Sequence, residues 1–149
     1  MSRAFVREDA FEEAQAEALR RQQNTATLLR PMTRRGYDRL RERLAAAGAA
    51  GDAALAEALS ARLRAASPVD VKPDEAAGFG ATLDVREQGG RRRRVRIVGD
   101  DETDLVEDAI ALRSPLAQAL LGAVAGDVVT WPRPAGDIEV EVLAVRYEG

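Results

Sequence analysis

The hydrophobic pattern of this chain changes period once, near Gly80, and that change sets what the chain can fold into. Before it, apolar residues recur at spacings of three and four, the repeat of a helix face. Tyr37, Leu40, Leu44 and Ala47 form one stripe, and Leu55, Leu59, Leu63 and Ala66 form a second. Gly48-Ala49-Ala50-Gly51 separates them with two flexible residues in four. Thr33 and Asp52 are suited to N-cap the two segments, and Ser67-Pro68 stops the second. Two short helices joined by a tight break predict an antiparallel helical hairpin over residues 32–67.

From Gly80 the period becomes two. Ala81, Leu83 and Val85 alternate with Thr82, Asp84 and Arg86, the pattern of a half-buried strand. Gln88-Gly89-Gly90 turns the chain into a second strand, where Val95 and Ile97 alternate with Arg94 and Arg96. Ser114-Pro115 is a helix start, with Ser as cap and Pro in the first turn, and Gly122 is a stop. Asp127 to Trp131 and Asp137 to Tyr147 read as two more strands. The expected class is α+β: a short helical hairpin, then a small antiparallel sheet packed on one short helix. Residues 1–31 read as a polar extension, helical around Asp9 to Gln23 on a thin stripe of Phe11, Ala14, Ala18 and Leu19. Residues 68–78 read as a linker, and 79–149 as the second unit.

Composition removes whole classes of chemistry. The 149 residues contain no cysteine and no histidine, which excludes disulfides, thiolate metal sites and every His-dependent catalytic arrangement. An enzyme would have to rely on carboxylates, hydroxyls, arginines or Lys72. The net charge of −3 argues against nucleic acid as the main ligand, although Arg91-Arg92-Arg93-Arg94 is locally basic. No apolar run is long enough to span a bilayer and the first residues lack an apolar signal core, so a soluble cytoplasmic protein is expected.

Four short motifs then follow one another at fixed intervals. They are Phe79-Gly80-Ala81-Thr82, Ile97-Val98-Gly99, Ser114-Pro115-Leu116-Ala117 and Gly126-Asp127-Val128-Val129, continued by Leu120, Gly122, Glu139 and Tyr147. Their order and spacing resemble the C-terminal domain of the bacterial Gre-type transcript elongation factors. Met32 to Leu40 resembles the opening of the same family's N-terminal hairpin. The resemblance implies an FKBP-like fold for residues 79–149 and docking on core RNA polymerase at the mouth of its secondary channel. It also implies a polymerase-contact loop at Arg113, Ser114, Pro115 and Leu116. The plainer alternative for Ser114-Pro115 is a cap that only positions a core helix. On the contact reading, Leu116→Arg is expected to abolish binding and leave the fold intact. Arg34, Arg35, Arg94 and Arg96 are candidate secondary contacts, against the alternative of a solvated face.

The hairpin tip departs from that family. Gre tips carry Asp and Glu separated by two residues and followed by Asn, and two hard oxygen donors on one turn can hold a second Mg²⁺. Here Gly48, Gly51 and Asp52 frame a tip with one carboxylate, itself a helix cap, and Glu57 lies down the shaft. Thr33 to Ala47 gives about 22 Å of helix at ~1.5 Å per residue, shorter than a Gre hairpin. The expectation is therefore a factor that binds polymerase without stimulating transcript cleavage, as in the Rnk-type relatives. No catalytic, cofactor-binding or metal-binding residue is assigned. Nucleic acid is expected only through polymerase, no membrane partner is expected, and the chain is expected to be monomeric. One rival is an active cleavage factor drawing on Glu12, Glu13 and Glu17 of the extension. The other is a prolyl isomerase, which would need an aromatic-lined pocket from Phe79, Trp131 and Tyr147. No calcium loop is expected at Asp100, Glu102 and Asp104, since neither the sixth-position Gly nor the twelfth-position Glu follows, and the resemblance implies a solvated acidic loop there. Asp38 and Glu42 are expected to pair with nearby arginines on the helix surface, and Trp131 to pack in the core.

Overall fold

The computed structural model of the chain describes residues 11–17, 30–71 and 73–148. Its elements are helix α1 (residues 11–17), strand β1 (Pro31–Thr33), the helices α2 (Arg34–Ala49) and α3 (Ala53–Ala65), and strand β2 (Ser67–Val69). Then come β3 (Thr82–Glu87), β4 (Arg92–Val98), β5 (Ala109–Ala111), α4 (Pro115–Leu120), β6 (Val128–Trp131) and β7 (Ile138–Arg146). Helices α2 and α3 precede a five-stranded sheet and only α4 interrupts its strands, so the class is α+β.

The hairpin forms as its caps dictate. Thr33 accepts from the backbone N–H of Gly36 and opens α2, and Asp52 accepts from Leu55 N–H and opens α3. The apolar stripe of α2 faces inward, with Leu40 and Ala47 buried and Tyr37 and Leu44 packed beside them. On α3 the stripe is shifted. Leu59 is buried and Leu63, Ala66 and Ala56 pack against it, but Leu55 is 47% exposed at the tip. One turn past the cap, no element among the described residues covers Leu55.

Two findings correct the expected sheet. It is mixed rather than purely antiparallel: its order is β5-β4-β3-β7-β6, and β5 runs parallel to β4. The loop after Val98 carries the chain back before β5, so the short apolar run Ile110-Ala111 enters in the same direction as its neighbour. The second finding is a separate two-stranded parallel ladder of β1 with β2, pairing Pro31 with Ser67 and Thr33 with Val69. Ser67-Pro68 does end α3, but the chain continues as a strand that ties the two feet of the hairpin together.

The core falls into two clusters. The larger lies between the sheet and α4 and contains Leu83, Val85, Val95, Ile97, Leu116, Leu120, Val140 and Val142. Burying such side chains contributes roughly 1.5–3 kcal/mol each. Trp131 packs at its edge, half-buried, with the Arg93 and Arg133 guanidiniums 5.6 and 5.4 Å from its ring. The smaller cluster joins Met32, Leu40, Ala47 and Leu59 of the hairpin to Val98, Leu105 and Val106 of the second unit. The hairpin therefore shares a core with the loop that follows β4.

Helix α1 falls within the segment expected to be helical; Ala18 and Leu19 lie outside the described residues. Phe11 packs against the larger core, and a Cβ on Gly122 would stand 2.3 Å from the Cα of Gln15. Gly122, at φ +83°, lets the backbone of α1 lie directly on the end of α4.

Candidate functional site

The turn into α4 is built as a cap. Ser114, half-buried, accepts from Ala117 N–H at 3.3 Å, and Pro115 occupies the first helical position on the surface. Leu116 does not project from this turn. It is 4% exposed and sits in the larger core with Leu120. The two are four residues apart, so they share the face of α4 that rests on the sheet. The exposed side chains of the turn are Arg113 and Pro115. Arg113 pairs with Asp100 at 3.3 Å, and its N–H donates to the same carboxylate, which ties the turn to the loop after β4. Leu116→Arg would place a guanidinium in the core and is no clean probe of binding.

That loop holds a group the sequence reading misplaced. Glu102 is not solvated; it is completely buried. Its carboxylate accepts from Thr33 N–H at 2.6 Å, from Gly99 N–H at 2.9 Å and from the Thr33 hydroxyl. Two glycines make room for it. A Cβ on Gly36 would stand 2.0 Å from Oε1, and one on Gly99 would stand 2.1 Å from the carbonyl oxygen of Pro31. Burial pushes the Glu102 carboxyl above its ordinary range, and the three hydrogen bonds oppose that shift only in part. The sequence held one signal of this arrangement: Gly36 stands in the first turn of α2, where a residue with side-chain contacts would favour the helix more.

Asp104 of the same loop is gripped from the hairpin side. Arg62 reaches it at 3.0 Å and Arg43 at 3.3 Å, and Arg62 also donates to the carbonyl of Asp101. The hydrogen bond from Arg62 holds the Asp104 carboxyl below its usual range. Arg34 reaches Asp70 beyond the hairpin, and Arg43 reaches this loop, so neither is spent within α2 alone.

Of the candidate secondary contacts, the structure brings Arg34, Arg35 and Arg96 to one cleft. Arg94 lies apart, pairing at 3.1 Å with Asp84, which also receives Arg146 at 2.7 Å. The Arg146 hydrogen bond lowers the Asp84 carboxyl. Arg96 is mostly buried and reaches Glu148 at 2.8 Å.

At the hairpin tip, Gly48 lies in the last turn of α2, Ala50 caps that helix, Gly51 turns the chain at φ +75°, and the Asp52 carboxylate is spent on the α3 cap. Glu57 points along the shaft to Arg64 at 3.5 Å. Glu12, Glu13 and Glu17 project from α1, which rests on the end of α4 rather than on the tip. Among the described residues, no cluster of three or more Asp, Glu, His or Cys side chains is arranged to hold a metal ion, and no helix is long and apolar enough to cross a membrane.

Residues 72–147, just over half of the chain, match the family model for the C-terminal domain of the transcription elongation factors GreA and GreB. The chain belongs to the GreA/GreB family. Transcription elongation factor GreA of Thioalkalivibrio sulfidiphilus is 44% identical over 93 residues, covering 60% of this chain and 59% of that protein. Transcription elongation factor GreB of Neisseria meningitidis serogroup B is 42% identical over 92 residues, covering 60% and 56%. The chain thus spans less than two thirds of the length of these curated relatives. Among solved structures, GreA factor homolog 1 of Thermus thermophilus aligns over 80% of this chain and 98% of its own, at 25% identity and a TM-score of 0.43.

Proposed function

We propose that this chain is a transcription elongation factor that docks on core RNA polymerase of a bacterium and modulates elongation without stimulating transcript cleavage. In this reading residues 79–149, an FKBP-like unit, form the anchor, and the Arg113-Ser114-Pro115 turn is its contact at the rim of the secondary channel. The hairpin of residues 32–67 stands in the channel mouth and acts by occupying it. The chain works as a monomer in the cytoplasm and meets nucleic acid only through polymerase.

The observation that carries the non-cleaving part is the tip. Cleavage by a Gre-type route needs carboxylates delivered to an active-site Mg²⁺. Here the single tip carboxylate, Asp52, is committed to Leu55 N–H. The helix of 16 residues that carries the tip is about 24 Å long at ~1.5 Å per residue. The anchor reading is supported by relatives named as transcription elongation factors and by a rigid turn that displays Arg113 and Pro115.

The test is a paired assay. Association with core polymerase is measured by pull-down, and RNA shortening is followed in a backtracked complex with Mg²⁺. Binding without shortening is expected, together with loss of binding in Arg113→Glu. No association would sink the docking reading, and Mg²⁺-dependent shortening would convert the chain into an active cleavage factor.

A further inference from the structure

The joint between hairpin and sheet encloses a cleft of about 300 Å³, at the lower end of the ~300–1,000 Å³ typical of small-molecule sites. Its walls are apolar: Val69 and Val71 on the segment leaving the hairpin, Val98 at the end of β4, and Val106 of the loop that packs on α2. Three guanidiniums stand around it. Arg34 and Arg35 come from the first turn of α2, and Arg96 comes from β4. Tyr147 closes the cleft and is fixed by donating to the carbonyl of Ala76 at 2.6 Å.

Arg96 is the informative member. It spends one terminal nitrogen on Glu148, yet its Nε is buried and has no hydrogen-bond partner, alone among the buried side-chain polar atoms of the described residues. A buried guanidinium N–H without an acceptor costs free energy, and an ordered water or ion is one way such a group is satisfied, so the exposed part of the Arg96 fork is what a molecule in the cleft would meet. Glu148 and Asp70 already occupy Arg96 and Arg34 in part, and both of these acids border the cleft. The Arg34–Asp70 pair is solvent-exposed, so it exchanges readily for a better acceptor.

We propose that this cleft binds a small organic oxyanion, a carboxylate or phosphate ester with a compact apolar body. Its oxyanion meets the fork of Arg96 with Arg34 or Arg35, a geometry in which guanidinium pairs both head groups well. Its apolar body lies against Val71, Val98 and Val106. Because the walls come from both sides of the joint, an occupied cleft braces the hairpin against the sheet.

The test uses the full chain without polymerase, so its result stands apart from the docking reading. Phenyl phosphate, benzoate, inorganic phosphate and benzyl alcohol are each titrated into ¹⁵N-labelled protein and followed by amide shifts. Saturable one-to-one shifts centred on Val71, Thr82, Val98 and Val106 are expected for phenyl phosphate or benzoate, with the head group or the body alone at least roughly tenfold weaker. Arg96→Lys keeps the charge opposite Glu148 and removes the planar fork; it should weaken binding roughly tenfold with an unchanged circular dichroism spectrum. Arg34→Gln, on the exposed rim, should weaken it less. No saturable shifts, shifts centred on Arg91 and Arg92 at the far end of β4, or equal affinity in both variants would each overturn the site. Inorganic phosphate binding as tightly as phenyl phosphate would overturn the organic ligand.

Discussion

The two ends of the helical hairpin are built on opposite principles. At the foot, a parallel ladder, a shared apolar cluster and a buried carboxylate fix α2 onto the loop after β4. At the tip, Gly48 to Asp52 are all exposed, and the only acid is consumed by its own cap. Among the described residues, this hairpin is held by its base and exposed at its end. Such a module can be positioned accurately while presenting almost no chemistry.

Changes at four positions would break or sharpen that contrast. The largest effect belongs to neither end but to the core of the second unit. Leu116→Arg should cost about 4 kcal/mol or more, since a guanidinium replaces a core side chain. Urea denaturation should show the sheet unfolding at markedly lower denaturant, and a stable variant would mean that Leu116 can turn outward.

At the foot, Glu102→Ala should cost about 2–4 kcal/mol, because it leaves the N–H groups of Thr33 and Gly99 buried without an acceptor. Amide exchange should speed up across α2 and β1 more than in β3 and β7, and uniform loss of protection would refute a local role. Glu102→Gln separates charge from shape. The Glu102 carboxyl is raised above its ordinary value of 4.5, so folding takes up a proton there. Its contribution is fully present below pH ~4.5 and is lost as pH rises through the raised value. The Gln variant should lack that decline, so its stability relative to the parent rises across this window. Asp84 and Asp104 act in the opposite direction. Both are lowered from 3.8, so their contribution is present above that value and fades as pH falls below it. Chemical denaturation at stepped pH values would show both limbs, and parallel curves for parent and Gln variant would contradict the assignment.

At the tip, Asp52→Ala removes a cap and should cost about 1 kcal/mol. Thermal melts should show that small loss with polymerase binding unchanged; a loss of binding would place a contact at the tip. The smallest effect is expected at the surface: Arg34→Ala breaks an exposed pair with Asp70 and should shift stability by at most ~0.5 kcal/mol. A larger loss would mean that Arg34 supports the joint through packing.

Much of the fold was legible because it rests on local rules. The caps Thr33, Asp52 and Ser114 stand where their side chains can reach the N–H three residues on, and period-two alternation marked the inward faces of β3, β4 and β7. Glu102 could not be read this way. In sequence it is one acid in an acidic run, and only its contact with Thr33, 69 residues away, takes it out of water. Leu116 was misjudged for a related reason. A turn motif does not say which side of a six-residue helix meets the sheet.

The sequence by itself determined the caps that open α2, α3 and α4, the strands β3, β4, β6 and β7, the family of the second unit and the poverty of the tip. All of these follow from neighbours within a few positions or from motif spacing. Tertiary structure alone decided that β5 joins in parallel, that the hairpin shares a core with the loop after β4, and that three arginines meet at one cleft. Those outcomes depend on desolvation and packing between segments far apart in the chain, which no local pattern encodes.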